Sequence, residues 1–156
     1  MPMYLTKNFA LKEMTKSSTA ERLGLTNTPT MEHIINLVNL CNHILQPLRE
    51  EFGPIRINSG YRGAELNKAV GGSGTSQHCN GEAADFESSR VSNPDIAHWI
   101  NDNLDFDQLI LEFYDGKDPH SGWVHCSYRK DGENRNKAMT ALRVNGKTQY
   151  KDGLLS

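Results

Sequence analysis

The chain has 156 residues, 37% hydrophobic and 23% charged, with a formal net charge of -2 from 17 basic and 19 acidic side chains. That length is enough for one domain with its own core, and the charge balance excludes a nucleic-acid binder, or a wall- or membrane-binding protein, held by bulk positive charge. No apolar run approaches the roughly 20 residues that a membrane span needs.

In chain order, residues 1–9 hold neither an apolar signal core nor a cleavage site, so synthesis in the cytoplasm without a signal peptide is expected. Ser18, Thr19, Ala20 and Glu21 suit a capped short helix that Gly24 ends. Thr28-Pro29-Thr30 opens the longest periodic segment. Ile34, Leu37, Val38, Cys41, Ile44, Leu45 and Leu48 recur at helical spacing, and Pro47 is placed to kink the last turns before Phe52-Gly53-Pro54. Residues 55–58 alternate like a strand, 64–70 suit a small helix, and the glycine-rich 71–74 break it. Residues 83–86 read as a buried strand. Asn93-Pro94-Asp95 starts another helix. Residues 106–113 and 123–128 read as strands, and Asn145-Gly146 between two alternating runs marks a type I′ hairpin. Helices first and strands later predict an α+β fold, a single domain with N-terminal helices packed on a small antiparallel sheet. The core is expected over about residues 9–128, with 129–156 as a C-terminal hairpin extension.

Cys41, Cys79 and Cys126 are odd in number and form no CxxC pair, which excludes a disulfide framework and a thiolate zinc knuckle. They are read as packing residues.

The chemistry concentrates in Ser76-Gln77-His78-Cys79-Asn80-Gly81-Glu82-Ala83-Ala84-Asp85. On a straight helix His78 and Asp85 would lie about 10 Å apart; on a straight strand they would face opposite ways, roughly 20 Å apart. They can share one ion only if the chain folds back between them, and Gly81 permits that bend. His125, flanked by apolar residues in a strand where a lone imidazole is costly, is the best third ligand. Two histidines and one carboxylate leave a fourth position open, the pattern of a catalytic rather than a structural zinc site.

Ser76-x-His78-x-x-Gly81-x-Ala83-x-Asp85, with Ser59-Gly60-Tyr61-Arg62 upstream and Trp123-Val124-His125 downstream, resembles the signature of the peptidase M15 family. This is the D-alanyl-D-alanine carboxypeptidase family of zinc peptidases, which also includes dipeptidases and phage L-alanyl-D-glutamate endolysins. The resemblance spans roughly residues 9–128 and is closest to the short phage- and prophage-associated branch. It implies an α+β fold on an antiparallel sheet, zinc (Zn2+) held by His78, Asp85 and His125, and hydrolysis of peptidoglycan peptides containing D-amino acids. The chain would act, as a monomer, on the cell wall after phage lysis or as part of a virion, with no nucleic-acid or membrane partner.

One position departs from the family pattern. Many members carry their acidic general base three residues before the last histidine, and here that residue is Gly122. Glu112 is the chosen substitute, because it ends a strand able to pair with the one bearing His125; the Hedgehog signalling domain, a structural relative, has a similar strand. Asp115 and Asp118 are fallback bases. Arg62 is expected to meet the developing oxyanion or a substrate carboxylate, and Ser76 to orient His78 or touch substrate. His33, His43, His98 and His120 have no partner in the pattern. The alternative function is a non-catalytic zinc-binding structural or interaction module, such as a phage tail component, which Gly122 favours.

Overall fold

A computed structural model describes residues 2–155. The chain opens with a small antiparallel ribbon of β1 (Tyr4–Thr6) and β2 (Phe9–Ala10), followed by short helices α1 (Leu11–Thr15) and α2 (Ser18–Leu23). α3 (Met31–Leu40) begins where the sequence predicts: the Thr30 hydroxyl accepts the His33 backbone N–H and closes the first turn. It runs through a π-helical segment, Cys41–Leu45, into α4 (Gln46–Phe52). The widening has a cause. Pro47 lacks an N–H and its ring would collide with the carbonyl one turn back. The Gln46 N–H reaches Cys41 O instead, five residues away, and the helix continues instead of breaking.

The predicted strands and helices follow: β3 (Arg56–Ser59), α5 (Ala64–Ala69), β4 (Ala83–Glu87), α6 (Asn93–Asn103), β5 (Gln108–Glu112), β6 (Trp123–Ser127), β7 (Lys137–Val144) and β8 (Lys147–Asp152). A 3-10 turn, Gln77–Asn80, precedes β4. The six strands form one sheet in the order β3-β4-β6-β5-β7-β8. The fold is α+β in a single domain, and the four strands β3, β4, β6 and β5 pair antiparallel as expected. β7 enlarges the sheet by pairing parallel to β5. β6 ends beside the start of β5, and the connection 128–136 stays at that end, so the next strand must run in the direction of β5. β7 and β8 form the expected hairpin, with Asn145 at φ 52° and Gly146 at φ 77° as a type I′ turn requires.

Strand alternation gives the sheet two unlike faces. Ile57, Ala84, Phe86, Leu109, Leu111, Val124 and Cys126 form one face and pack on Leu37, Leu40, Cys41, Ile44, Leu45 and Leu48 of the long helical segment and on Ile96 and Ile100 of α6. Each fully buried leucine, isoleucine, valine or phenylalanine among them contributes about 1.5–3 kcal/mol relative to exposure. Val38, expected on the core stripe, is 36% exposed, and Leu40 takes its place. Cys41 and Cys126 are buried as packing residues, whereas Cys79 is only half-buried, because its segment is a 3-10 turn and not the extended strand that would have aimed it at the core.

Asp107 ties the site-bearing elements together. Its buried carboxylate accepts hydrogen bonds from Gln77 Nε2 at 2.9 Å, from the Arg135 backbone N–H at 3.1 Å, and from Arg135 Nε and Nη2 at 3.0 and 2.9 Å. Burial alone would raise its pKa, but the Arg135 and Gln77 hydrogen bonds outweigh it and hold the carboxyl below its ordinary value. Asp107→Asn is expected to destabilise the protein by roughly 2–3 kcal/mol at pH 7, measured by urea unfolding. Because the folded-state pKa is depressed, that contribution is complete above the unfolded value and fades as pH falls below about 4. The gap between variant and wild type therefore closes in acid.

Candidate metal centre

The face of the sheet away from the helices carries the polar cluster. Asp85 on β4 lies directly across from His125 on β6, and Ile110 on β5 flanks His125 on the other side. His78 arrives from outside the sheet. The Ser76 hydroxyl caps the 3-10 turn by accepting the His78 N–H at 3.2 Å. The chain then reverses at Gly81, φ 76°, where a Cβ would lie 2.6 Å from the His33 carbonyl oxygen. This is the fold-back that His78 and Asp85 need if they are to meet.

They do meet. His78 Nε2 lies 3.4 Å from Asp85 Oδ2, and His125 Nδ1 lies 2.9 Å from Asp85 Oδ1. Each of the three residues offers one ligand atom within 4.8 Å of the other two. His78 Nδ1 sits 2.7 Å from the Gly60 carbonyl. A carbonyl can only accept, so Nδ1 carries the hydrogen and, in the neutral ring, Nε2 presents a lone pair. That lone pair faces a carboxylate oxygen, an arrangement of two acceptors that calls for a cation between them. Burial pushes the Asp85 carboxyl upward in pKa, but the hydrogen bond with His125 and the closeness of both imidazoles more than offset it and hold the group well below the usual carboxylate range. An anionic oxygen and imidazole nitrogens this close together fit one divalent ion of the zinc type, whose ligand atoms lie about 2 Å from the metal.

The cluster lines a cleft of about 560 Å³ that also contains Arg62, Ser76, Glu112 and Trp123. Glu112 is two pairs further along the hairpin from His125 and so on the same face, opposite Trp123. Burial raises its carboxyl pKa to about 7; the nearby His125 pulls down and Asp85 pushes up. Arg62 follows β3, and its backbone N–H donates to His78 O at 3.0 Å. Its Nε is buried without a hydrogen-bond partner, and among the described residues no carboxylate pairs with its guanidinium. A buried, unsatisfied donor is costly, so this cation suits an anionic or carbonyl group brought by a ligand.

The fallback acids are elsewhere. Asp115 and Asp118 are exposed on the loop between β5 and β6, where Asp115 Oδ1 accepts the Lys117 and Asp118 backbone N–H groups and Asp118 Oδ1 accepts that of His120; neither lines the cleft. Gln77, Tyr150 and Arg135 border it and were not singled out by the sequence. Asn27 was missed as well: its side chain donates to Thr15 O and Tyr61 O and accepts the Gly63 N–H, pinning the turn that carries Arg62. A polar residue in an unpatterned linker gave no local sign of this.

Gly122 acquires a reason here. It has φ 69°, and a Cβ would stand 1.8 Å from the Glu112 carbonyl oxygen. No side chain fits, so an acid cannot sit at this position while the two strands keep this turn.

Two histidines and a carboxylate, gathered in a cleft beside a second carboxylate of raised pKa, are residues that could hold one metal ion there. A family model described as Peptidase M15 matches residues 7–127, most of the chain, and the chain therefore belongs to the peptidase M15 family. Membership supports a metallopeptidase, and the zinc enzymes of that family agree with the donor set. A search of curated proteins gave no match. Among the described residues, no helix is long and apolar enough to cross a membrane.

Gly122→Asp, which would restore an acid at the family position, is expected to destabilise the fold by about 2–4 kcal/mol through left-handed strain and overpacking. Denaturant unfolding of the variant beside wild type measures it.

Proposed function

We propose that this chain is a zinc-dependent peptidase that hydrolyses an amide bond next to a D-amino acid in peptidoglycan stem peptides. His78, Asp85 and His125 are the proposed metal ligands and Glu112 the proposed general base. The observation that carries the reading is the presence of Glu112 in the same cleft, and on the same sheet face, as the His78–Asp85–His125 cluster.

Zinc, when held by these three residues, supplies a lowered pKa for water and polarisation of the scissile carbonyl. Glu112 accepts the proton of the attacking water and delivers it to the leaving amine. Its elevated pKa suits both halves of that transfer, since a carboxyl near neutrality can take a proton and give it up again. Only the ionised form is a base, so the rate rises as pH climbs through the Glu112 transition; a divalent cation alongside moves that limb to lower pH. Arg62 receives a substrate carboxylate or the developing oxyanion. Ser76 holds the His78 turn through its capping bond and borders the substrate space. The non-catalytic module drew its support from Gly122, and a carboxylate available at Glu112 removes that support.

The site of action proposed is the cell wall, reached after phage lysis or from a virion, with a peptide substrate and a monomeric enzyme. The carboxypeptidase and endopeptidase forms differ in one requirement: only the former needs the free terminal carboxylate that Arg62 would bind.

Release of D-Ala or stem fragments from purified cell walls tests the proposal. Wild type with one equivalent of zinc is expected to hydrolyse. Glu112→Gln is expected to keep its zinc and lose about 10²- to 10⁴-fold in kcat. Zinc-loaded wild type that releases nothing from walls would instead favour the non-catalytic module.

A further inference from the structure

The hairpin of β7 and β8 lies beyond residue 127, where the family match ends, yet it reaches the cleft. Trp123, Glu112, Ala141 and Tyr150 stand in one row across β6, β5, β7 and β8, each paired with the next. They share the face that carries Asp85 and His125. Glu112 and Tyr150 are two strand spacings apart, about 10 Å at the backbone. The residue between them is alanine, fully buried, the smallest side chain that could separate the two. Across that alanine, Tyr150 and Glu112 line the same cleft. Burial and the negative charge of Glu112 together raise the phenol pKa above its ordinary value, which agrees with that proximity.

Tyr150 is also out of keeping with its surroundings. Every residue of β8 is exposed, and the others are lysine, threonine, glutamine and aspartate. Nothing in the core needs an aromatic ring here, and Tyr150 itself is 56% exposed. A tyrosine offers a flat apolar surface and a hydroxyl at low entropic cost, the combination that suits contact with a peptide. Arg62 enters the cleft beside β3, at one side of the sheet, and Tyr150 from β8 at the other.

We propose that Tyr150 is a substrate-binding residue: the C-terminal hairpin forms the cleft wall on the side away from Arg62, and the Tyr150 ring and hydroxyl contact the bound D-amino-acid-containing peptide. This rests on the peptidase reading above. Tyr150 sits at the rim and holds the peptide equally in ground and transition states, so its loss weakens binding and leaves the chemical step largely intact.

Calorimetric titration of a synthetic peptide ending in D-Ala-D-Ala into zinc-loaded Glu112→Gln protein tests this without turnover. Adding Tyr150→Ala is expected to raise Kd about tenfold, and Tyr150→Phe, which keeps the ring, to recover part of that loss, with zinc content unchanged in both. A change below threefold in Tyr150→Ala overturns the inference, as does weaker binding accompanied by lost zinc, which would place the damage at the metal cluster. Absence of peptide binding by the Glu112→Gln parent, with no wall hydrolysis by wild type, overturns the peptidase reading and this inference with it; a parent that binds the peptide equally well before and after Tyr150→Ala is added overturns only the latter.

Discussion

A single carboxylate bridging two imidazoles organises this molecule. Asp85 meets His78 through one oxygen and His125 through the other, joining the 3-10 turn, β4 and β6 at one point. Each contact brings together groups that would be expensive to bury alone. The Gly60 carbonyl fixes which nitrogen of His78 carries its hydrogen, and so decides that the other faces the carboxylate. Outer contacts of this kind orient metal ligands and tune their affinity.

The rest of the fold keeps that cluster in place. Helices cover one face of the sheet and leave the other as the floor of the cleft, so that period-two alternation sends Ala84, Leu109, Leu111, Val124 and Cys126 into the core and Asp85, Glu112 and His125 to the opposite side. The turn joining β5 and β6 requires Gly122, and Glu112 ends β5 on the cleft face. Asp107 secures the base of the same strand and, through Gln77, the turn that carries His78.

Much of this was legible in the residue pattern because it is local. The period of the apolar residues gave the long helix; the Thr30 cap and Gly53 gave its limits. Alternation gave β3, buried and strand-like runs gave β4 to β6, and Asn145-Gly146 gave the hairpin. The distance between His78 and Asp85 required a reversal, and Gly81 marked where it occurs. What escaped depends on contacts between distant segments. Asp107 and Arg135 are 28 residues apart, and neither carries a mark that distinguishes it from a solvated charge. The parallel pairing of β7 follows from where β6 ends, which strand propensity does not encode. Tyr150 reads as an edge-strand aromatic until the register places it in the row of Glu112. Val38 lies outside the core because the π-helical segment that follows it interrupts the 3.6-residue period on which the stripe was drawn.

The most direct test is a zinc titration of metal-free protein, with competition by a chelator, for wild type and for His78→Ala, Asp85→Ala and His125→Ala, folding being checked by circular dichroism. Binding of one zinc per chain is expected, weakened more than about a hundredfold by each substitution in protein that remains folded. Folded variants that bind zinc as tightly as wild type would show that the three side chains do not form the metal centre.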